Sequence, residues 1–133
     1  MRRRGGRWGL AAVVACAAAL ALALPAATSA SDASPTRLLA TGFEFDVRVS
    51  TGTVNPGRAI VQFRNTGEDP HDLTIQRSDA GAPLASTGEV QPGGLVKIDT
   101  RLRKASHFYF YCSLLDHRQL GMEALVKVRR HRR

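Results

Sequence analysis

A small antiparallel β-sandwich or barrel is the fold class this sequence predicts. After residue 30 the apolar residues recur with a period of two, turn-forming clusters separate the runs, and no segment shows a helical repeat. Phe43, Phe45, Val47 and Val49 alternate with Glu44, Asp46, Arg48 and Ser50. Val61 and Phe63 alternate with Gln62 and Arg64. Val96, Ile98 and Leu102 share a parity opposed by Lys97, Asp99, Arg101 and Arg103. Phe108 and Phe110 alternate with His107, Tyr109 and Tyr111, which this parity turns outward. Asn55-Pro56-Gly57, Asn65-Thr66-Gly67 and Pro92-Gly93-Gly94 mark the turns. Short strands with one buried face cover each other best as two packed layers.

The first thirty residues read as an export signal. Arg2, Arg3, Arg4 and Arg7 precede an uncharged apolar run from Trp8 to Leu24, and Pro25 and the small residues Ala26 to Ala30 follow it. Cleavage is expected near Ala30. A polar lead follows over 31–36, then the folded domain over 37–129 and a basic tail over 130–133. The apolar run of 17 residues sits at the short edge for a membrane span, so a retained anchor stays open. So does lipidation of Cys16 after Val13-Val14-Ala15, and so does either the general or the twin-arginine export route. The expected location is periplasmic or extracellular, with attachment to the cell surface open.

The full chain has 19 Lys+Arg against 11 Asp+Glu, a net charge of +8. Removing the leader's four arginines leaves fifteen cations and a net charge of about +4. Five of those cations fall in the last seven residues: Lys127, Arg129, Arg130, Arg132 and Arg133. A nucleic-acid binder spreads its cations over a folded face, so nucleic acid is not expected as a partner. Docking of the tail to an acidic redox partner or an anionic membrane surface is the sharper alternative to a merely solvated end. At this length a multidomain enzyme is excluded.

One cysteine remains after the leader, Cys112, so no internal disulfide is available in an oxidising compartment. Cys112, His117 and Met122 follow the spacing C-x4-H-x4-M, and His71 begins the run His71-Asp72-Leu73-Thr74-Ile75. Two imidazoles, a thiolate and a thioether form the donor set of a copper electron-transfer site. Parity agrees with the spacing. His71 shares a face with Leu73 and Ile75, Cys112 with Phe108 and Phe110, and Met122 with Ala124, Val126 and Val128. Each donor is thus expected to start or end a strand on its core side. His107 is expected at the surface and His131 in the tail.

The stretch from Phe108 to Val128, with Asn65-Thr66-Gly67 and Pro70-His71 upstream, resembles the cupredoxins, among them plastocyanin, azurin, amicyanin, auracyanin and sulfocyanin. The resemblance covers roughly residues 37–129. It implies a Greek-key β-sandwich holding one Cu(I)/Cu(II) ion, with His71, Cys112 and His117 as equatorial ligands and Met122 as a weak axial one. It implies no enzyme activity, but one-electron carriage between larger redox proteins such as a c-type cytochrome, an oxidase or another copper protein. A monomer is expected. Asp72 and Ser113 fall beside the ligands, and Tyr111 matches a surface tyrosine on a lateral electron path. Leu114, Leu115, Leu120 and Gly121 are expected to form an apolar exit patch around a partly exposed His117 edge.

The chain also departs from the pattern. Asp72, which can only accept hydrogen bonds when ionised, stands where relatives often carry Asn. Leu115-Asp116 replaces a frequent Pro-Gly. Copper resistance or delivery to an oxidase is the alternative function. A nitrite reductase or multicopper oxidase fits poorly, because the chain has no His-x-His pair for a second copper centre.

Overall fold

In the computed structural model, which describes residues 34–103 and 106–130, alternation builds two facing sheets. One takes strands in the order β2-β1-β4-β7: β1 is Thr36–Phe43, β2 Asp46–Val49, β4 Gly57–Asn65 and β7 Leu95–Leu102. The other takes the order β3-β9-β8-β5-β6: β3 is Thr53–Val54, β5 Thr74–Arg77, β6 Ala85–Ser86, β8 His107–Tyr111 and β9 Glu123–Val128. Among the described residues there is no helix. The chain passes repeatedly from one sheet to the other, the connectivity of a Greek-key sandwich. The expected leader, residues 1–30, lies outside the described residues.

Leu38 and Ala40 of β1 pair with Val61 and Phe63 of β4, and Val61 pairs with Ile98 of β7. From the opposite sheet, Ile75, Phe108, Phe110 and Val126 complete a core whose members are almost wholly buried. A fully buried side chain of this size contributes roughly 1.5–3 kcal/mol. All nine strands and the entire core fall within Thr36–Val128, so the unit Ser31–Arg133 holds everything needed to fold alone.

Two expectations change here. The sheets are mixed, because β1 pairs with β4 and β3 pairs with β9 in parallel. Neither parallel pair is consecutive in sequence, so no alternation signal reports its direction. The run Phe43 to Val49 is also two strands, with β1 turning at Glu44-Phe45 so that Phe43 pairs with Asp46. A two-residue turn flips the inward parity, and Gly42 faces Val47 across it. The apparent uniform alternation therefore joins the outer face of β1 to the inner face of β2.

Gly42 lies at the end of the sandwich that carries Met122. A Cβ there would stand 2.8 Å from the Phe63 ring and 3.0 Å from Met122 Cε. Only glycine lets β1 come this close.

Candidate metal centre

The candidate donors come from three places at one end of the sandwich. Cys112 follows β8 directly and Met122 precedes β9 directly, and a backbone bond from Cys112 N to Met122 O (3.1 Å) ties them together. Between them the chain makes a tight loop. His117 N donates to Leu114 O at 3.2 Å, Met122 N donates to His117 O at 3.0 Å, and Leu115 takes φ 46°. His71 does not start a strand, since β5 begins at Thr74. A two-way backbone bridge to Val90 holds it instead, at 3.1 and 2.7 Å. Asn65 supports the same corner, donating through Nδ2 to Asp69 O and Val90 O and accepting from Gly67 N.

This framework brings together His71, Cys112 and His117, all buried. The two Nδ1 atoms lie 3.2 Å apart, and Cys112 Sγ lies 3.5 Å from His117 Nδ1 and 4.0 Å from His71 Nδ1. Ligands placed trigonally at ordinary lengths, about 2.0 Å for nitrogen and 2.3 Å for sulfur, stand about 3.5 Å (N–N) and 3.7 Å (S–N) apart. The three donors fit one metal ion at that spacing. Met122 is fully buried beside them, its methyl near Gly42.

The thiol is kept neutral without a metal. Burial pushes Cys112 up to about 11, with the Asp72 carboxylate adding to the rise and backbone N–H groups opposing it. Asp72 N lies 3.4 Å from Sγ and donates toward it. The Asp72 side chain acts as an acceptor. It receives Ser113 N at 2.5 Å, Ser113 Oγ at 2.6 Å and Thr74 Oγ at 2.9 Å. A carboxylate can therefore cross-brace the two ligand-bearing segments without an amide donor, and Asp72 and Ser113 meet beside the centre.

No protein-family description and no curated protein matches this chain. Solved structures do. Dithionite-reduced auracyanin from Roseiflexus castenholzii aligns at TM-score 0.58 and 18% identity, over 72% of this chain and 98% of that one. Auracyanin A from Chloroflexus aurantiacus, a "blue" copper protein, aligns at TM-score 0.56 and 12% identity, over 71% and 98%. A multicopper oxidase from Pediococcus acidilactici aligns at TM-score 0.52 and 18% identity, over 80% of this chain but 28% of that one. The chain has the cupredoxin fold.

Within this fold the surroundings of the centre differ from expectation in three ways. His117 is 7% exposed rather than showing an open edge, because Phe45 packs against it edge-on with ring centroids 5.1 Å apart. Leu115 and Leu120 are exposed nearby, at 90% and 53%, while Leu114 packs against the core. Gly121 is also exposed and adjoins Phe45, since a Cβ there would stand 3.5 Å from Phe45 O, so Phe45 joins Leu115, Leu120 and Gly121 at this end. Tyr111, expected outward, is 8% exposed. The Arg118 guanidinium covers its ring at 3.8 Å and its hydroxyl donates to Gln76 Oε1 at 3.0 Å.

Sequence reasoning passed over Glu44 and Gly67. Glu44 Oε1 lies 3.4 Å from His71 Nε2, a buried nitrogen with no well-aligned hydrogen-bond partner. The carboxylate accepts from the backbone N–H groups of Asp69 (3.0 Å) and Glu68. Those bonds, led by Asp69, hold Glu44 down at about 2. Gly67 makes room, since a Cβ there would run into Glu44 Oε1 and stand 2.9 Å from His71 Nε2. Glu44 was legible only as one polar member of an alternating run.

Proposed function

We propose that this cupredoxin is an exported one-electron carrier with a type 1 copper centre, in which His71, Cys112 and His117 are the equatorial ligands and Met122 is the axial one. The buried Nδ1–Nδ1–Sγ triad carries the reading. Soft sulfur favours Cu(I) and imidazole retains Cu(II), so this donor set suits copper in both states. Bound copper supplies a reversible one-electron couple. The chain supplies the rest.

Burial of all three donors excludes water. The Val90 bridge fixes His71, and the Cys112–Met122 and Met122–His117 backbone bonds fix the other ligands. Donation from Asp72 N toward Sγ lowers electron density on the sulfur, and the Asp72–Ser113 brace holds that geometry. A site held this firmly reorganises little when its charge changes.

Phe45, Leu115 and Leu120 form a small apolar contact around His117, the size of face a brief encounter uses. The partners that fit are redox proteins such as a c-type cytochrome, an oxidase or another copper protein. Tyr111, stacked under Arg118, would serve a lateral path. The location that fits is periplasmic or extracellular. Among the described residues, His71, Cys112 and His117 form a cluster of three metal-binding side chains that suits one ion.

Voltammetry of the copper-loaded protein, followed by its reduction by a c-type cytochrome, tests the reading. A reversible one-electron wave with rapid reduction is expected. A Cu(I) complex that resists reoxidation would instead favour copper delivery.

A further inference from the structure

Three residues that adjoin the candidate ligands in sequence meet in one place. Tyr111 precedes Cys112, Arg118 follows His117 and Glu123 follows Met122. Tyr111 and Glu123 pair across β8 and β9, beside the backbone bond from Cys112 N to Met122 O. Successive side chains of an extended chain point to opposite faces. Cys112 and Met122 are buried, so Tyr111 and Glu123 form the outer rung next to them. The Arg118 guanidinium lies across this rung. It stands 3.8 Å from the ring centroid of Tyr111 and 5.3 Å from that of Tyr109, and Arg118 Nε donates to Glu123 Oε2 at 2.5 Å. Tyr111 is itself pinned, its hydroxyl donating to Gln76 of β5.

The ligand loop needs such a restraint. From Ser113 to Gly121 the chain forms no strand, and most of its residues are exposed. Its backbone bonds are local: Leu120 N donates to Asp116 O and Gly121 N to Arg118 O, both at 3.1 Å. Such bonds set the curl of the loop but not its tilt over the sheet. Phe45 and the Asp72–Ser113 brace restrain that tilt near His117 and Cys112. Arg118 reaches from the loop to both β8 and β9. Arginine suits the position because its flat guanidinium stacks on an aromatic ring and pairs with a carboxylate at once.

We infer, on the reading of Cys112, His117 and Met122 as ligands, that Arg118 is a positioning residue: a clamp that holds those three at fixed mutual spacing before a metal ion arrives. It acts on their neighbours in the chain. A half-exposed ion pair alone is worth little, but stacking and pairing together favour the closed loop by about tenfold.

Arg118→Ala and Arg118→Lys are compared with the parent in the unit Ser31–Arg133, first without metal and then with copper. NMR relaxation dispersion on metal-free Arg118→Ala should show microsecond-to-millisecond exchange at Leu120, Gly121 and Met122, from an open population about tenfold above the parent's. Arg118→Lys keeps the charge but loses the flat stack, and should fall between the two. With copper, Arg118→Ala should release Cu(I) to a chelator about tenfold faster and broaden the Cu(II) EPR signal. Circular dichroism checks folding. Should Arg118→Ala fail to fold, Glu123→Gln keeps the stack, removes the charge partner and should show the same loop exchange at smaller amplitude. Loop amides as quiet in the variant as in the parent would overturn the clamp, even beside a lowered melting temperature. A mobile loop in the variant, with no type 1 signal from the parent, would uphold the clamp and remove the electron-carrier reading.

Discussion

Glu44 Oε1 sits 3.4 Å from His71 Nε2, on the far side of the imidazole from the nitrogen that faces Cys112 and His117. The contact is long for a hydrogen bond and poorly aligned, so it acts mainly as a negative charge behind the ring. Such a charge makes the ligating nitrogen more basic and favours the oxidised metal. Glu44→Ala should raise the reduction potential of the copper-loaded protein by tens of millivolts. Glu44→Gln should raise it nearly as much while keeping an acceptor. Voltammetry that finds either variant unchanged would remove Glu44 from the account.

Glu44 also shapes the acid stability of the metal-free protein. Its folded-state value lies near 2, below the ordinary 4.5, chiefly because of the Asp69 N–H. The stability it contributes is present above about 4.5 and is lost as pH falls toward 2. Thermal unfolding between those pH values should show a weaker pH slope in Glu44→Gln than in the parent chain.

The Cys112 thiol should behave in the opposite sense. With its folded value raised to about 11, it stays protonated at neutral pH, so alkylation of the metal-free protein should be slow and should accelerate only on approach to that pH. Folded-state stability from this group is present below about 9 and declines as pH rises toward 11. Metal loading at pH 7 should release about one proton from this thiol. Rapid alkylation at pH 7 would show that burial does not control the site.

Gly42→Ala should cost about 1–3 kcal/mol, the usual range for overpacking, because the new methyl would press on Phe63 and on the end of Met122. Chemical denaturation measures the cost. If Met122 is the axial ligand, the same variant should also alter the electronic spectrum of the copper-loaded protein.

Much of this was legible from the residues because buried faces and soft donors leave strong marks. Val61 with Phe63 and Phe108 with Phe110 point to inner faces directly, and the spacing singled out Cys112 and His117, which meet His71 in one buried cluster. The parallel pairing of β1 with β4 left no mark, since it joins segments separated by β2 and β3. Tyr111 was misplaced because parity speaks for the strand alone, whereas its cover comes from Arg118 and Gln76. Phe45 and Glu44 were hidden for a related reason. Their turn interrupts a run that alternates in letters, and only the fold carries that turn to His117 and His71.

The most direct measurement loads residues 31–133 with Cu(I) without oxygen, oxidises the complex and records its visible and EPR spectra beside Cys112→Ser. The account predicts an intense blue or green thiolate charge-transfer band with a type 1 EPR signal, both absent from the variant. A chain that binds no copper, or an oxidised complex whose spectrum Cys112→Ser leaves unchanged, would contradict it.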